Sequence, residues 1–283
     1  MRLGYNTNGM AHHELGDALR LLADIGYRSV AITIDVGALW PFAAETGRAV
    51  ERVRRLLDRL ELDSVIETGA RYLLDPRVKH EPTLVSADSA SRSRRVGFYK
   101  YAIDCAAELG SGCVSLWSGV LRDPVSWQEG MARLVAGLDE VLEHAALRGV
   151  PIGFEPEPGM FIDSMAGYET LLEHLPAGEL RLTLDVGHLH CQGQGPIAGV
   201  IRRWASRLVN VHIEDMRSGV HEHLMFGEGE MDFPPIMAAL AEAGYRGGIH
   251  VELSRHSHEA PTVARKAYAF LNPLMERYAQ QDG

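Results

Sequence analysis

The sequence predicts a single-domain (β/α)8 barrel, and three observations carry that expectation. Short β-prone runs alternate with longer segments whose apolar residues recur at helical spacing, the signature of a parallel sheet. Eight such units fit within 283 residues, which matches this barrel in count and length. The stretch after the first strand, YNTNG, is not the glycine-rich phosphate loop that the competing open, doubly wound sheet would need there.

In chain order, RLGYN (2–6) reads as the first strand and 14–25 as its helix. SVAITI (29–34) precedes a helix over 47–60, and SVIET (64–68) precedes one over 92–109. CVSLW (113–117) is followed by 126–147, and PIGFE (151–155) by 166–175. RLTLD (181–185) leads to 197–205, LVNVH (208–212) to 234–243, and GIHVE (248–252) to 259–278. Several helices meet a glycine stop, as in ADIGY, ELGSG, ALRGV and EAGYRG. The closing QQDG (280–283) reads as a frayed end.

Composition narrows the function. The formal charge of −10 argues against a nucleic-acid partner, whose phosphates call for a basic surface. RSRR (92–95) is the densest basic cluster and reads as a solvated helix start. No apolar run is long enough to span a membrane, and MRLGYNTNG lacks the apolar core of a secretory signal. Cys105, Cys113 and Cys191 form neither a CxxC pair nor a disulfide framework, so a reducing cytoplasm is expected. A small polar substrate is the expected partner, and the oligomeric state is left open.

Four late strands end alike, in IGFE, LTLD, VNVH and IHVE. Each sets an ionisable residue at the C-terminal end, where side chains from different strands of a barrel converge: Glu155, Asp185, His212 and Glu252. Strand alternation puts Gly153, Thr183, Asn210 and His250 on the same side, one layer deeper. Three carboxylates meeting at one point repel unless protonated or held by a cation. With the imidazole they make an O,O,O,N set suited to Zn²⁺, Mn²⁺, Mg²⁺ or Co²⁺. Beside them, His188 follows Asp185 in a loop, and His221 and His223 lie in an extended loop before GEG (227–229). These three imidazoles would make a second zinc site or meet substrate oxygens. Glu67, Arg71, Trp117, Arg255 and His256 are further candidates for the substrate. Lys79 and His80, in a long polar connection, could meet an anionic or hydroxylated one. His12 and His13 read as helix caps, and Glu157 as a structural loop acid between prolines.

Through GFEPEPG (153–159), DVGH (185–188), VHIED (211–215), HEHLMFGEGEMD (221–232) and VEL (251–253), the chain resembles the xylose-isomerase-like TIM-barrel superfamily over essentially its whole length. That group includes sugar and sugar-phosphate isomerases and epimerases, inosose dehydratases and class II apurinic endonucleases. Resemblance to the ketose 3-epimerases implies one divalent ion on Glu155, Asp185, His212 and Glu252, with both glutamates moving the substrate proton and His188 holding substrate oxygens. Resemblance to the endonucleases implies a zinc cluster that adds His188 and His223, with His221 standing where those enzymes carry an aspartate. Glu67 and Trp117 stand near positions where histidines complete that cluster, which puts a third ion in doubt.

The expected function is a metal-dependent isomerase or epimerase of a small sugar, sugar phosphate or polyol carbonyl compound, with Glu155 and Glu252 catalytic. A metal ion can stabilise the enediolate left by proton abstraction next to a carbonyl. The alternative is zinc-dependent phosphoester hydrolysis or lyase chemistry at a multinuclear site, with an apurinic endonuclease less favoured. A ligand-binding barrel without chemistry is disfavoured because all four primary ligands are present.

Overall fold

The computed structural model describes residues 1–176 and 179–279, so the closing QQDG lies outside the described residues. Eight parallel strands close a barrel: β1 (Arg2–Asn6), β2 (Ser29–Thr33), β3 (Asp63–Glu67), β4 (Val114–Leu116), β5 (Ile152–Phe154), β6 (Leu180–Asp185), β7 (Leu208–Ile213) and β10 (Gly248–Val251). Chain order is ring order, and β10 pairs with β1 to complete the circle. Between β7 and β10 the chain makes a small antiparallel hairpin, β8 (Asp215–Arg217) and β9 (Val220–Leu224).

Helices α1 (Leu15–Ile25), α2 (Thr46–Leu60), α3 (Ser89–Leu109), α4 (Trp127–Arg148), α5 (Met165–Leu172), α7 (Ile197–Trp204), α8 (Phe233–Glu242) and α9 (Ala260–Ala279) connect the barrel strands or follow them. Short α6 (Val186–Cys191) is an extra turn directly after β6. Local chemistry sets many of these ends. Asp88, Ser126 and Ser164 cap α3, α4 and α5 by accepting a backbone N–H, and glycines at 26, 110 and 149 end α1, α3 and α4.

The core lies between strands and helices, with Leu19, Leu22, Ile32, Leu134, Phe154, Leu182, Val211 and Leu240 fully buried. Each such side chain contributes about 1.5–3 kcal/mol by leaving water. Inside the barrel a small apolar cluster of Ala31, Val65 and Cys113 lies among polar filling. Ser29, Thr183, Asn210 and His250 are buried there, and no described helix is long and apolar enough to cross a membrane.

One basic residue departs from expectation. Arg95 of RSRR is buried, not solvated. Its guanidinium stacks 5.0 Å from the Trp117 ring and donates to the carbonyls of Pro82 and His80. The long connection after β3 folds back over α3, so this arginine replaces water as the partner of its carbonyls.

Candidate active site

The four strand-end residues converge at the C-terminal mouth, each with one potential ligand atom within 4.8 Å of the others. His212 Nδ1 lies 3.0 Å from Glu155 Oε1 and 3.1 Å from Glu252 Oε2. β10 flanks β7 on one side and β6 and β5 follow on the other, so the two glutamates reach His212 from opposite sides. Asp185 also caps α6, accepting the His188 N–H at 2.8 Å on Oδ1. Its Oδ2 is buried without a hydrogen-bond partner.

A buried polar chain behind His212 fixes its ring. Ser29 Oγ lies 2.8 Å from His250 Nε2, and His250 Nδ1 lies 2.8 Å from the Asn210 carbonyl oxygen. That oxygen can only accept, so His250 carries its proton on Nδ1. Asn210 Nδ2 donates to Glu67 Oε1 at 2.7 Å, and His212 Nε2 meets the same oxygen at 2.9 Å. His212 therefore keeps Nε2–H toward Glu67 and turns Nδ1 to the two glutamates. Glu67, expected at the substrate, lines the cavity but gives its carboxylate to His212. Asn8, which no strand-end pattern in the sequence singles out, donates to Glu252 Oε1 at 2.7 Å.

The electrostatics follow from crowding. Burial pushes the Glu155 carboxyl up to about 8, against the pull of His212 and with the push of Glu252 and Asp185. Burial also opposes ionisation of Glu252, but His212 and then His223 and His188 outweigh it and hold that carboxyl well below its usual range. His212 is held well above the ordinary histidine value: burial alone would lower it, and Glu67, Glu155 and Glu252 overcome that. A divalent cation fits this set. It would satisfy the orphaned Asp185 oxygen, take the place of the proton on His212 Nδ1, and offset three converging carboxylates.

The second histidine group also assembles. His221 Nε2 lies 3.1 Å from His188 Nε2 and 3.3 Å from His223 Nε2. Nitrogens around a tetrahedral zinc ion stand about 3.3 Å apart, given bonds of about 2.05 Å. His223 Nδ1 faces the Glu252 backbone carbonyl at 3.1 Å and must donate to it, which leaves the Nε2 lone pair for the group. Burial holds His188 down at about 4, so it is neutral and able to ligate near pH 7. The structure corrects two local expectations here: His188 sits on the helical turn α6, and His221 and His223 lie on strand β9 of the hairpin.

Two acids join this region that sequence reasoning had set aside or missed. Glu157 lies 3.7 Å from His188 Nε2 and 3.9 Å from His221 Nε2, and it lines the cavity. Its place is therefore in the site, and not merely in the loop. Glu214 is fully buried with neither carboxylate oxygen hydrogen-bonded, pressed against Gly187 where any β-carbon would collide with it. The i, i+2 spacing from His212 was the signal that could have found it. Asp215 is structural: it accepts N–H bonds from Met216, Gly227, Gly229 and Met231 at 2.9–3.1 Å, pinning the GEG loop against the hairpin.

A cavity of about 710 Å³ opens above this floor. Arg71, Trp117 and Arg255 line it, together with Lys79, His80 and His13. His13 thus faces the cavity, and α1 takes no side-chain cap. His256 is not among the lining residues; its backbone N–H closes a turn on the Leu253 carbonyl at 3.0 Å.

Comparison with known proteins agrees with the architecture. The family model of the xylose isomerase-like TIM barrel matches residues 19–274. The L-ribulose-5-phosphate 3-epimerase UlaE of Shigella flexneri serotype 5b (strain 8401) is 26% identical over 253 residues, covering 87% of this chain and 84% of that protein. The inosose dehydratase of Lacticaseibacillus casei is 28% identical over 162 residues, 50% of this chain and 54% of its own. Among solved structures, a D-tagatose 3-epimerase-like protein superposes with a TM-score of 0.82 at 22% identity, covering both chains fully. The IolI protein with a bound zinc atom gives 0.79 at 17% identity over 98% of this chain and 99% of its own.

Proposed function

The chain belongs to the xylose isomerase-like TIM-barrel family, and from that membership and the site's geometry we propose that it is a divalent-metal-dependent epimerase of a small ketose or ketose phosphate. The carrying observation is the approach of Glu155 and Glu252 to His212 from two sides, beside Asp185. Such a pair can remove a proton from one face of a carbon and return one to the other, which inverts it. The UlaE likeness, over most of both chains, supports the same reaction class.

Glu155, Asp185, His212 and Glu252 would hold the ion. When bound, it supplies Lewis-acid polarisation of the carbonyl and neutralises charge on the substrate oxygen. The chain's own residues do the rest. Asn8 fixes one oxygen of Glu252, which aims the other at the site. Whichever glutamate faces the C–H bond of the bound epimer takes the proton, and the opposite one delivers its own. His188 and Glu157 stand where they can hold substrate hydroxyls next to that carbon, while Trp117 and His80, with ring centroids 5.2 Å apart, wall the cavity and exclude water.

The test uses Glu155→Gln and Glu252→Gln, which keep an oxygen ligand but remove the base. Each should retain metal, more weakly, while epimerisation falls far beyond the loss in occupancy. Activity equal to the parent in both variants would rule the mechanism out.

A second reading has one specific observation behind it: His221 Nε2 stands at zinc-like distance from a ring nitrogen of both His188 and His223. A second ion there would favour lyase or phosphoester chemistry. Two equivalents of zinc per chain, falling to one in a His221→Ala, His223→Ala double variant, would support it. One equivalent in both proteins, with impaired turnover in the variant, would assign the trio to substrate oxygens.

A further inference from the structure

The cavity is electrically lopsided. Its floor carries Glu155, Glu157, Glu252, His212, His221 and His223, whereas Arg71, Lys79 and Arg255 line it from the connections above. All three are exposed, and Arg255 is paired with Glu222 at 2.9 Å. Among the described residues, Arg71 donates only to the neutral Ser254 hydroxyl, at 3.0 Å, and no ion pair or hydrogen bond engages the Lys79 ammonium.

These cations are held in place. They come from the connections after β3 and β10, strands separated in the barrel wall by β2 and β1. The first connection reaches over those two strands, and the Arg71–Ser254 bond ties it to the other side. Its two arms are clamped by the His80 N–H on the Arg71 carbonyl at 2.6 Å, and buried Arg95 grips its end through the carbonyls of His80 and Pro82. His80 adds no charge: burial, then the nearby cations, hold it down at about 3. Arg71 and Lys79, with no acidic hydrogen-bond or ion-pair partner among the described residues, therefore sit on a preorganised roof over the floor. Burial first, and then the nearby Arg71, hold the Lys79 ammonium below its ordinary value against the pull of Glu157.

We infer that the substrate is a phosphate monoester: its carbonyl end sits on the carboxylate–histidine floor, and its terminal phosphate is received by Arg71 and Lys79 with Arg255 beside them. The inference rests on the epimerase reading for the orientation of the substrate. An arginine fork and a lysine point charge suit a dianionic phosphate, whereas an uncharged sugar end would offer these exposed cations no counter-charge in place of water. A cavity of about 710 Å³ has room for a phosphorylated five- or six-carbon ketose in extended form.

Calorimetry on the metal-loaded full chain tests this without needing turnover. The probes are a ketopentose, its 5-phosphate, and a sugar acid of matching length. The 5-phosphate should bind at least about 30-fold tighter than the free sugar and tighter than the acid. That preference should shrink by at least about tenfold in Arg71→Gln, Lys79→Gln. Equal binding of phosphorylated and free sugar would overturn the inference. So would a tighter-binding acid, or an equal loss for all three probes in the variant. Deuterium exchange at the carbon next to the carbonyl separates this from the underlying reading. Selective phosphate binding without exchange would sink the epimerase assignment and leave the anion rim standing.

Discussion

Replacing Glu67 with Gln should weaken metal binding at a residue that touches no metal. Both bonds that Glu67 receives, from Asn210 Nδ2 at 2.7 Å and His212 Nε2 at 2.9 Å, end on the same oxygen, Oε1. A glutamine oxygen can accept both, so the geometry survives and only the charge is lost. A hydrogen bond to a buried carboxylate is worth about 1 kcal/mol more than one to a neutral amide, and the charge also raises the basicity of the opposite ring nitrogen. Together these predict about 1.4–2.7 kcal/mol, or about 10–100-fold weaker metal binding. Competition with a chelator of known affinity measures it, and urea unfolding of the metal-free forms checks that the fold is intact. Metal affinity within about twofold of the parent, which is below the range for such outer partners, would refute the reasoning that Glu67 tunes His212.

Asp185→Ala should lower metal affinity by at least about 100-fold while costing only about 1 kcal/mol of stability, that of the lost α6 cap; unchanged stoichiometry after dialysis would remove it from the ligand set. Because Glu155 is pushed up to about 8, above the ordinary carboxylate value, it holds a proton at pH 7 that an arriving cation must displace. Metal affinity should therefore climb with pH across about 6–8, with proton release visible by calorimetry in buffers of different ionisation heat; a flat profile would contradict the assigned ligand. Asp215→Ala strips the carboxylate from four backbone N–H groups and should cost about 3 kcal/mol in urea unfolding. A cost under about 0.5 kcal/mol would show that water replaces it there.

Strand alternation and strand ends made much of this molecule legible. Periodicity located the eight units to within a few residues, and the ionisable ends of β5, β6, β7 and β10 named the residues that converge. The deeper layer was legible too, since Asn210 and His250 share the inward face with His212 and Glu252. What stayed hidden was pairing across the barrel. Glu67 on β3 reaches His212 on β7 only because the sheet closes, and no local pattern distinguishes that from a substrate contact. Arg95 looked solvated because its partners are backbone carbonyls of a loop whose path the sequence does not specify. The hairpin carrying His221 and His223 has the sequence of a loop, its strands being short and polar and pinned from outside by Asp215.

Proton transfer at one carbon by two opposed glutamates is tested most directly by a single turnover in D2O. The metal-loaded chain, in excess over a ketopentose 5-phosphate, should yield the epimer carrying one deuterium at the carbon next to the carbonyl. The delivered proton comes from the glutamate that did not abstract, and that group will have equilibrated with solvent. An epimer formed without label, or no epimer from a fully loaded site, would contradict the account.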